Sequence, residues 1–254
     1  MKKLLVILCY LLITSCIGWK EYSSITWKSN HLINRYVEVD NISCAAIDTP
    51  NAYIVIRFLG NNIYPSQELY NEVMKWKVVG EGDETFPFCK PVYYGNESYV
   101  DTFNKLAQKN GDGGFAFKYT YWVLGEDAKK GTLEGFNDIE SEVLTAITGR
   151  ITNLEISSDM EFDSEHPMGG SLMDIAYLDF CSYAPILRSK EYSNPKISKR
   201  FEELSSEDFK IIGATIHLSF TSKPTTSNIH NMTITITFDD GKVFSETVKL
   251  EFKE

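Results

Sequence analysis

Hydrophobic and polar residues alternate with a period of two near the carboxyl end of the chain. Ile212, Ile216 and Phe220 share one face of such a segment, while Thr215 and His217 share the other. Alternation of this kind is typical of antiparallel strands with one buried face. The pattern repeats over 232–238 and 244–252, and the intervening 239–242 supplies the Asp-Gly pair that favours a tight turn. The pattern therefore predicts a terminal β-hairpin.

Other segments show strand or helix periodicity in the rest of the chain. A turn at 48–51 predicts that the strands before and after it form a hairpin. The segment 115–124 carries bulky residues on both faces, which predicts a central strand. Strands are predicted at Tyr36–Ile47, Tyr53–Leu59, Pro91–Tyr94, Phe115–Leu124, Ile151–Ile156, Leu172–Tyr183 and Ile211–Thr221. Helical spacing or helix signals occur at Gln67–Lys77, Tyr99–Gln108, Asp138–Thr148 and Lys199–Leu204.

These elements predict a mainly β protein with a few short helices, a β-rich α+β fold. We expect a leader over 1–15, a tether over 16–31 that ends in the first strand, and a β-rich N-terminal domain with a helix over 32–135. A connecting helix over 136–149 would then lead to an antiparallel, immunoglobulin-like sandwich over 150–254.

The amino terminus has the pattern of an export signal. Lys2 and Lys3 precede an apolar stretch over 4–13 that is too short to span a bilayer. The sequence Ile13-Thr14-Ser15-Cys16 then resembles the lipobox of bacterial lipoprotein precursors. The resemblance implies cleavage before Cys16, acylation of that cysteine and stable anchoring by three acyl chains.

The residue after the cysteine bears on location. Ile17 is not the aspartate that retains such lipoproteins at the inner membrane in enterobacteria. The resemblance therefore implies the periplasmic face of the outer membrane. An ordinary secretory signal cut after Gly18 is the alternative, and it also predicts export.

Charge narrows the classes of partner. The 254-residue chain has a formal net charge of −10, and loss of two lysines with the predicted leader gives −12. Nucleic acid and anionic membrane surfaces are therefore poor partners, whereas a basic protein or a cation is a better one.

Three cysteines remain outside the leader and the lipobox. In an oxidising envelope we expect Cys44 and Cys89 to form a disulfide, because both lie in the first half of the chain. Cys181 would then be the odd thiol, and it is expected to be buried and inert.

Two charged stretches are candidate partner-binding sites. If the acidic stretch is extended, its carboxylates share one face. Three roles are then open for this face: a solvated edge, contact with a basic partner, or binding of Ca²⁺. The basic stretch gives the protein a charge asymmetry that could steer a protein partner, although it could also be a solvated face. The candidate residues are Asp159, Glu161, Asp163 and Glu165 in the acidic stretch, and Lys196, Lys199 and Arg200 in the basic one.

No motif demands an enzyme. Ser171 lies near His166 and two glycines, which suggests a hydrolase, but the glycine-x-serine-x-glycine elbow is absent. The glycine-rich run over 110–114 lacks the lysine of a phosphate-binding loop. We therefore expect no catalytic residue, metal or cofactor.

A second resemblance points to a protein partner. Ile42-Ser43-Cys44 and the segment 88–95, which contains Cys89, are similar to segments of type VI secretion immunity lipoproteins. The resemblance implies a lipid-anchored protein that neutralises an antibacterial toxin in the periplasm. A structural or assembly lipoprotein of the envelope is the alternative, and a hydrolase is the third.

Overall fold

The structure, a computed structural model, describes residues 22–29, 31–65, 98–114, 117–124, 130–134, 144–191 and 193–253. The leader with Cys16, the predicted helix Gln67–Lys77 and the predicted strand Pro91–Tyr94 lie outside these residues, as does Cys89. Among the described residues, no helix combines the length and the apolar character needed to cross a membrane.

The chain is mainly β, as its alternating patterns predict. The strands are β1 (Tyr22–Ser29), β2 (Arg35–Ile47), β3 (Tyr53–Ile63), β4 (Phe117–Leu124), β5 (Lys130–Glu134), β6 (Thr145–Ile147), β7 (Ile151–Ser158), β8 (Ala176–Ser182), β9 (Lys196–Arg200), β10 (Ile212–Phe220), β11 (Ile229–Phe238) and β12 (Val243–Glu251). The helices are α1 (Ser98–Asn110), α2 (Ala184–Ser189) and a 3₁₀ turn at Phe201–Glu203.

The smaller of two compact units contains a three-stranded sheet in the order β1-β4-β5. β4 and β5 are antiparallel, with Lys118 opposite Glu134. Because β4 lies between two neighbours, the prediction that it is a central strand is confirmed.

The larger unit contains two sheets. One has the order β3-β2-β6-β10-β8-β9, and an additional β3–β10 pairing closes β3, β2, β6 and β10 into a ring. The other has the order β12-β11-β7. Both contribute to one hydrophobic core, in which Ile56 and Ile216 of the first sheet and Ile156 and Ile234 of the second are fully buried. This burial is the main driving force for the sandwich-like arrangement.

Two hairpins follow the predicted local patterns. β2 and β3 pair antiparallel from Tyr36↔Ile63 to Ile47↔Tyr53. β11 and β12 pair in continuous register from Ile229↔Glu251 to Thr237↔Val243. Gly241 has a φ of 83° in the intervening turn, a conformation that glycine adopts without steric cost.

The sheet pairing differs from the predicted domain division. β2 and β3 belong to the predicted N-terminal domain, but β3 pairs with β10 of the predicted C-terminal sandwich. Residues 145–147 form strand β6 where a connecting helix is predicted, because their backbone pairs with both β2 and β10. The two-sheet sandwich therefore includes strands from both sides of the predicted boundary.

α1 confirms the helix predicted over 99–108 and extends it at both ends. The residues after it bind back to the amino-terminal segment of the larger unit. Asp112 is buried and accepts hydrogen bonds from the backbone N–H groups of Leu32 at 2.6 Å and Ile33 at 3.1 Å. Through Asp112, the glycine-rich run 110–114 therefore anchors the end of α1 to the residues just before β2.

Candidate functional site

The loop between β7 and β8 carries the acidic stretch found in the sequence. It folds back along β7, where Gly169 donates its N–H to the Ser158 carbonyl at 2.8 Å and Leu172 donates to the Ile156 carbonyl at 2.9 Å. Phe162 anchors the loop from inside, since its side chain is fully buried. We refer to residues 159–174 as the acidic loop.

Phe162 packs in an aromatic cluster that joins the loop to the sandwich. Its ring centroid lies 5.4–5.7 Å from those of Phe220 in β10, His230 in β11 and Phe252 just after β12. These distances are typical of favourable aromatic pairs. The cluster therefore joins the acidic loop to β10, to β11 and to the residue that follows β12.

A buried histidine lies between two carboxylates of the loop. His166 Nδ1 is 2.7 Å from Asp163 Oδ1, and His166 Nε2 is 3.1 Å from both oxygens of Asp174. The histidine is 6% exposed. Both ring nitrogens can donate to carboxylates only when the imidazole is protonated.

The electrostatics of this arrangement favour the charged forms. Burial alone would lower the pKa of His166, but hydrogen bonds to Asp174 and Asp163 and the charges of both carboxylates raise it. Burial alone would raise the pKa of Asp163, but hydrogen bonds from the Glu165 N–H and from the His166 ring and N–H lower it. His166 and Asp163 therefore each favour the charged form of the other.

The four acidic candidates have different roles in the structure. Asp159 accepts hydrogen bonds from the N–H and side-chain amide of Asn231 at 2.8 and 2.7 Å, and these lower its pKa. Asp163 binds His166. Glu161 and Glu165 are exposed, and neither forms an ion pair with the described part of the chain. Of the four candidates, these are the two whose carboxylates form no hydrogen bond or ion pair with the described part of the chain.

Two exposed methionines accompany those glutamates. Met168 is 73% exposed in the second half of the acidic loop, and Met160 is 44% exposed near its start. Both contribute apolar surface to the loop that carries Glu161 and Glu165. The acidic loop therefore presents mixed apolar and negative surface.

The three basic candidates do not form a bare positive patch. Lys196 lies 3.4 Å from Asp179, Lys199 lies 3.5 Å from Asp208, and Arg200 lies 3.6 Å from Glu202. Each cation therefore has a neighbouring carboxylate that the sequence cluster does not reveal. Ion pairs at or near the surface contribute little stability, but they neutralise the local charge.

The geometry does not assemble a nucleophile with a base at Ser171. The Ser171 hydroxyl accepts a hydrogen bond from the Met173 N–H at 3.3 Å. Both ring nitrogens of His166 contact carboxylates instead. Within the described residues, no group of three or more histidine, cysteine or carboxylate side chains is arranged to hold a metal ion.

The cysteines outside the leader have different environments. Cys44 is a half-buried thiol in β2, and burial together with the charge of Glu246 raises its pKa to about 12. No bridge from Cys44 is seen, and Cys89 is outside the described residues, so their pairing stays a prediction. Cys181 is half-buried in β8.

Sequence reasoning missed the importance of His166 and Asp174 as partners. Asp163 and His166 are three residues apart, a spacing suited to a local loop contact, but Asp174 is eight residues further on. Asp112 was also missed, because it binds backbone groups about 80 residues away. No local pattern identifies such a partner.

Comparisons with known proteins provide no relative for this chain. No protein-family model, no curated protein and no solved structure matches it.

Proposed function

We propose that this chain is a lipid-anchored envelope protein that binds another protein through the acidic loop, as an immunity protein that neutralises an antibacterial effector in the periplasm. The observation that carries the proposal is a firmly held loop that exposes both Met168 and the carboxylates of Glu161 and Glu165. The resemblance of residues 13–16 to a lipobox supports the proposed location.

The loop has the physical properties of a contact surface. Methionine is a flexible and polarisable side chain that adapts to a partner, and it is enriched at protein interfaces. The anchors at Phe162 and His166 hold the loop before any partner arrives. Such preorganisation lowers the entropic cost of binding.

Charge defines the kind of partner. Glu161 and Glu165 face solvent in a chain whose formal net charge is −10. A basic protein surface would be attracted to them, and this attraction would speed encounter and weaken as salt rises. An inhibitor of this kind needs no catalytic group.

The experiment measures binding of the detergent-solubilised lipoprotein to the product of the adjacent gene. We expect the double variant Glu161→Lys/Glu165→Lys and the single variant Met168→Ser each to bind about tenfold or more weakly, a loss of about 1.4 kcal/mol. Protection of a toxin-sensitive strain should fall in parallel.

The double variant Glu38→Lys/Glu191→Lys is the matched control, because it makes the same two charge reversals at exposed residues outside the acidic loop. We expect it to bind like the unmodified protein. Unchanged affinity in both acidic-loop variants would refute this surface, and absence of binding to the adjacent gene product would refute the immunity function.

A further inference from the structure

The two carboxylates that bind His166 are held with different firmness. Asp163 also accepts hydrogen bonds from the backbone N–H groups of Glu165 at 2.8 Å and His166 at 3.0 Å. Asp174 is 63% exposed. Asp163 is therefore fixed by its own turn, while Asp174 can exchange the histidine for water.

This difference determines what happens when His166 loses a proton. A neutral imidazole carries one N–H and one lone pair. The shorter contact to Asp163 retains the proton on Nδ1, which leaves the Nε2 lone pair facing the Asp174 carboxylate. Two acceptors facing each other repel, so Asp174 separates from the ring.

The other groups packed around the ring are aromatic side chains. The ring of Phe162 packs edge-on against the ring of His166. Phe220 of β10 and Phe252 after β12 pack against Phe162 in turn. Besides His166, Phe162 also packs against the titratable side chain of His230 in β11. The His230 ring forms hydrogen bonds with the Ser158 hydroxyl and the Ser227 carbonyl. Among the described residues, Asp163 and Asp174 are the charges that face the His166 ring directly.

We propose that protonated His166 is a pH-sensitive latch, which closes the acidic loop through Asp174 and opens residues 167–174 when the proton leaves. Its effect on partner binding rests on the function proposed above, whereas the latch itself is a property of the isolated protein. The contact surface around Met168 would be preformed in the protonated state and loosened in the neutral one.

The sign of the pH dependence follows from the direction of the pKa shift. The pKa of His166 is raised by its two carboxylates. The latch is therefore fully formed below the ordinary histidine pKa of about 6.5 and is lost as the pH rises through the higher pKa of the folded protein. Mild acid holds the loop closed, and alkali opens it.

The test combines an NMR titration of the His166 ring with hydrogen exchange of the Gly169 and Leu172 amides in the lipoprotein without partner. We expect a ring pKa above about 6.5. Protection of both amides, corrected for the intrinsic pH dependence of exchange, should fall about tenfold across that titration.

Asp174→Asn separates the latch from general unfolding, because the change is at an exposed side chain. We expect it to lower the His166 pKa and to move the loss of protection to lower pH by the same amount. His217→Gln is the control, since His217 is exposed and stacks on Tyr53 in another part of the larger unit.

A His166 pKa at or below the ordinary value, or unchanged amide protection across the titration, would overturn the latch. These measurements need no partner. If the latch is found while the glutamate variants bind normally at mildly acidic pH, the proposed contact surface fails and the latch remains.

Discussion

Gly60 shows how a single residue determines the geometry of a strand pair. The register of β2 and β3 shifts between Val39 and Asn41, which leaves Asp40 as an extra residue opposite Gly60 and Leu59. This is the arrangement of a β-bulge, and glycine allows the two backbones to approach closely there. A Cβ at residue 60 would overlap the Glu38 carbonyl group.

We therefore predict that Gly60→Ala lowers the free energy of unfolding by about 1–3 kcal/mol, because the backbone has to move away or remain strained. Urea denaturation measures the change. Gly113→Ala is the matched control, since a Cβ there would meet nothing within 4 Å, and it should change stability by less than about 0.5 kcal/mol. Equal stability of the two variants would contradict this explanation.

The acidic stretch shows what sequence can and cannot establish at the scale of residues. Its composition singles out Asp159, Glu161, Asp163 and Glu165. Two of the four carboxylates are used inside the molecule, by Asn231 and His166. Spacing alone could not separate these two from Glu161 and Glu165, because their roles depend on the fold of the loop and, for Asp159, on a strand about 70 residues away.

At the scale of elements, local patterns predicted strands better than they predicted their partners. The β11–β12 hairpin follows from alternation and an Asp-Gly turn, both of which are local. The β3–β10 pairing joins Arg57 to Thr215 and has no local signal. Residues 145–147 were predicted to be helical because helical spacing is a local pattern. Their pairing with two distant strands, β2 and β10, has no local signal and outweighs that spacing.

The aromatic cluster gives a prediction about how the acidic loop contributes to the fold. Phe162 is fully buried and contacts residues of β10 and β11 and the residue that follows β12. Phe162→Ala should lower the free energy of unfolding by about 3–5 kcal/mol, because it removes the ring and leaves a cavity. The measurement is urea denaturation at fixed pH.

Val243→Ala is the control for Phe162→Ala. Its side chain is 57% exposed, so the expected change is within about 0.5 kcal/mol. A loss below about 1 kcal/mol for Phe162→Ala would mean that the loop is not an integral part of the core.

At the scale of the whole molecule, the chain combines a mainly β fold with a strongly negative charge. The prediction of the fold class is confirmed, because alternating apolar residues over many short segments leave few other architectures. The predicted division into domains depended on one weak helical segment, whereas the observed units depend on which strands pair. Function is harder to predict from the sequence than fold class, since a binding surface needs no fixed motif.

Membrane anchoring is the remaining prediction for the whole molecule, and it depends on Cys16. If the lipobox resemblance is correct, the lipid is attached through the sulfur of this residue, and acyl chains supply the buried methylene groups that hold the protein at the membrane. Cys16→Ser should abolish incorporation of radiolabelled palmitate and leave an uncleaved or soluble protein. Cys9→Ser is the matched control, because it removes a cysteine of the leader and should leave labelling intact. Unchanged labelling of the Cys16 variant would end the lipoprotein hypothesis.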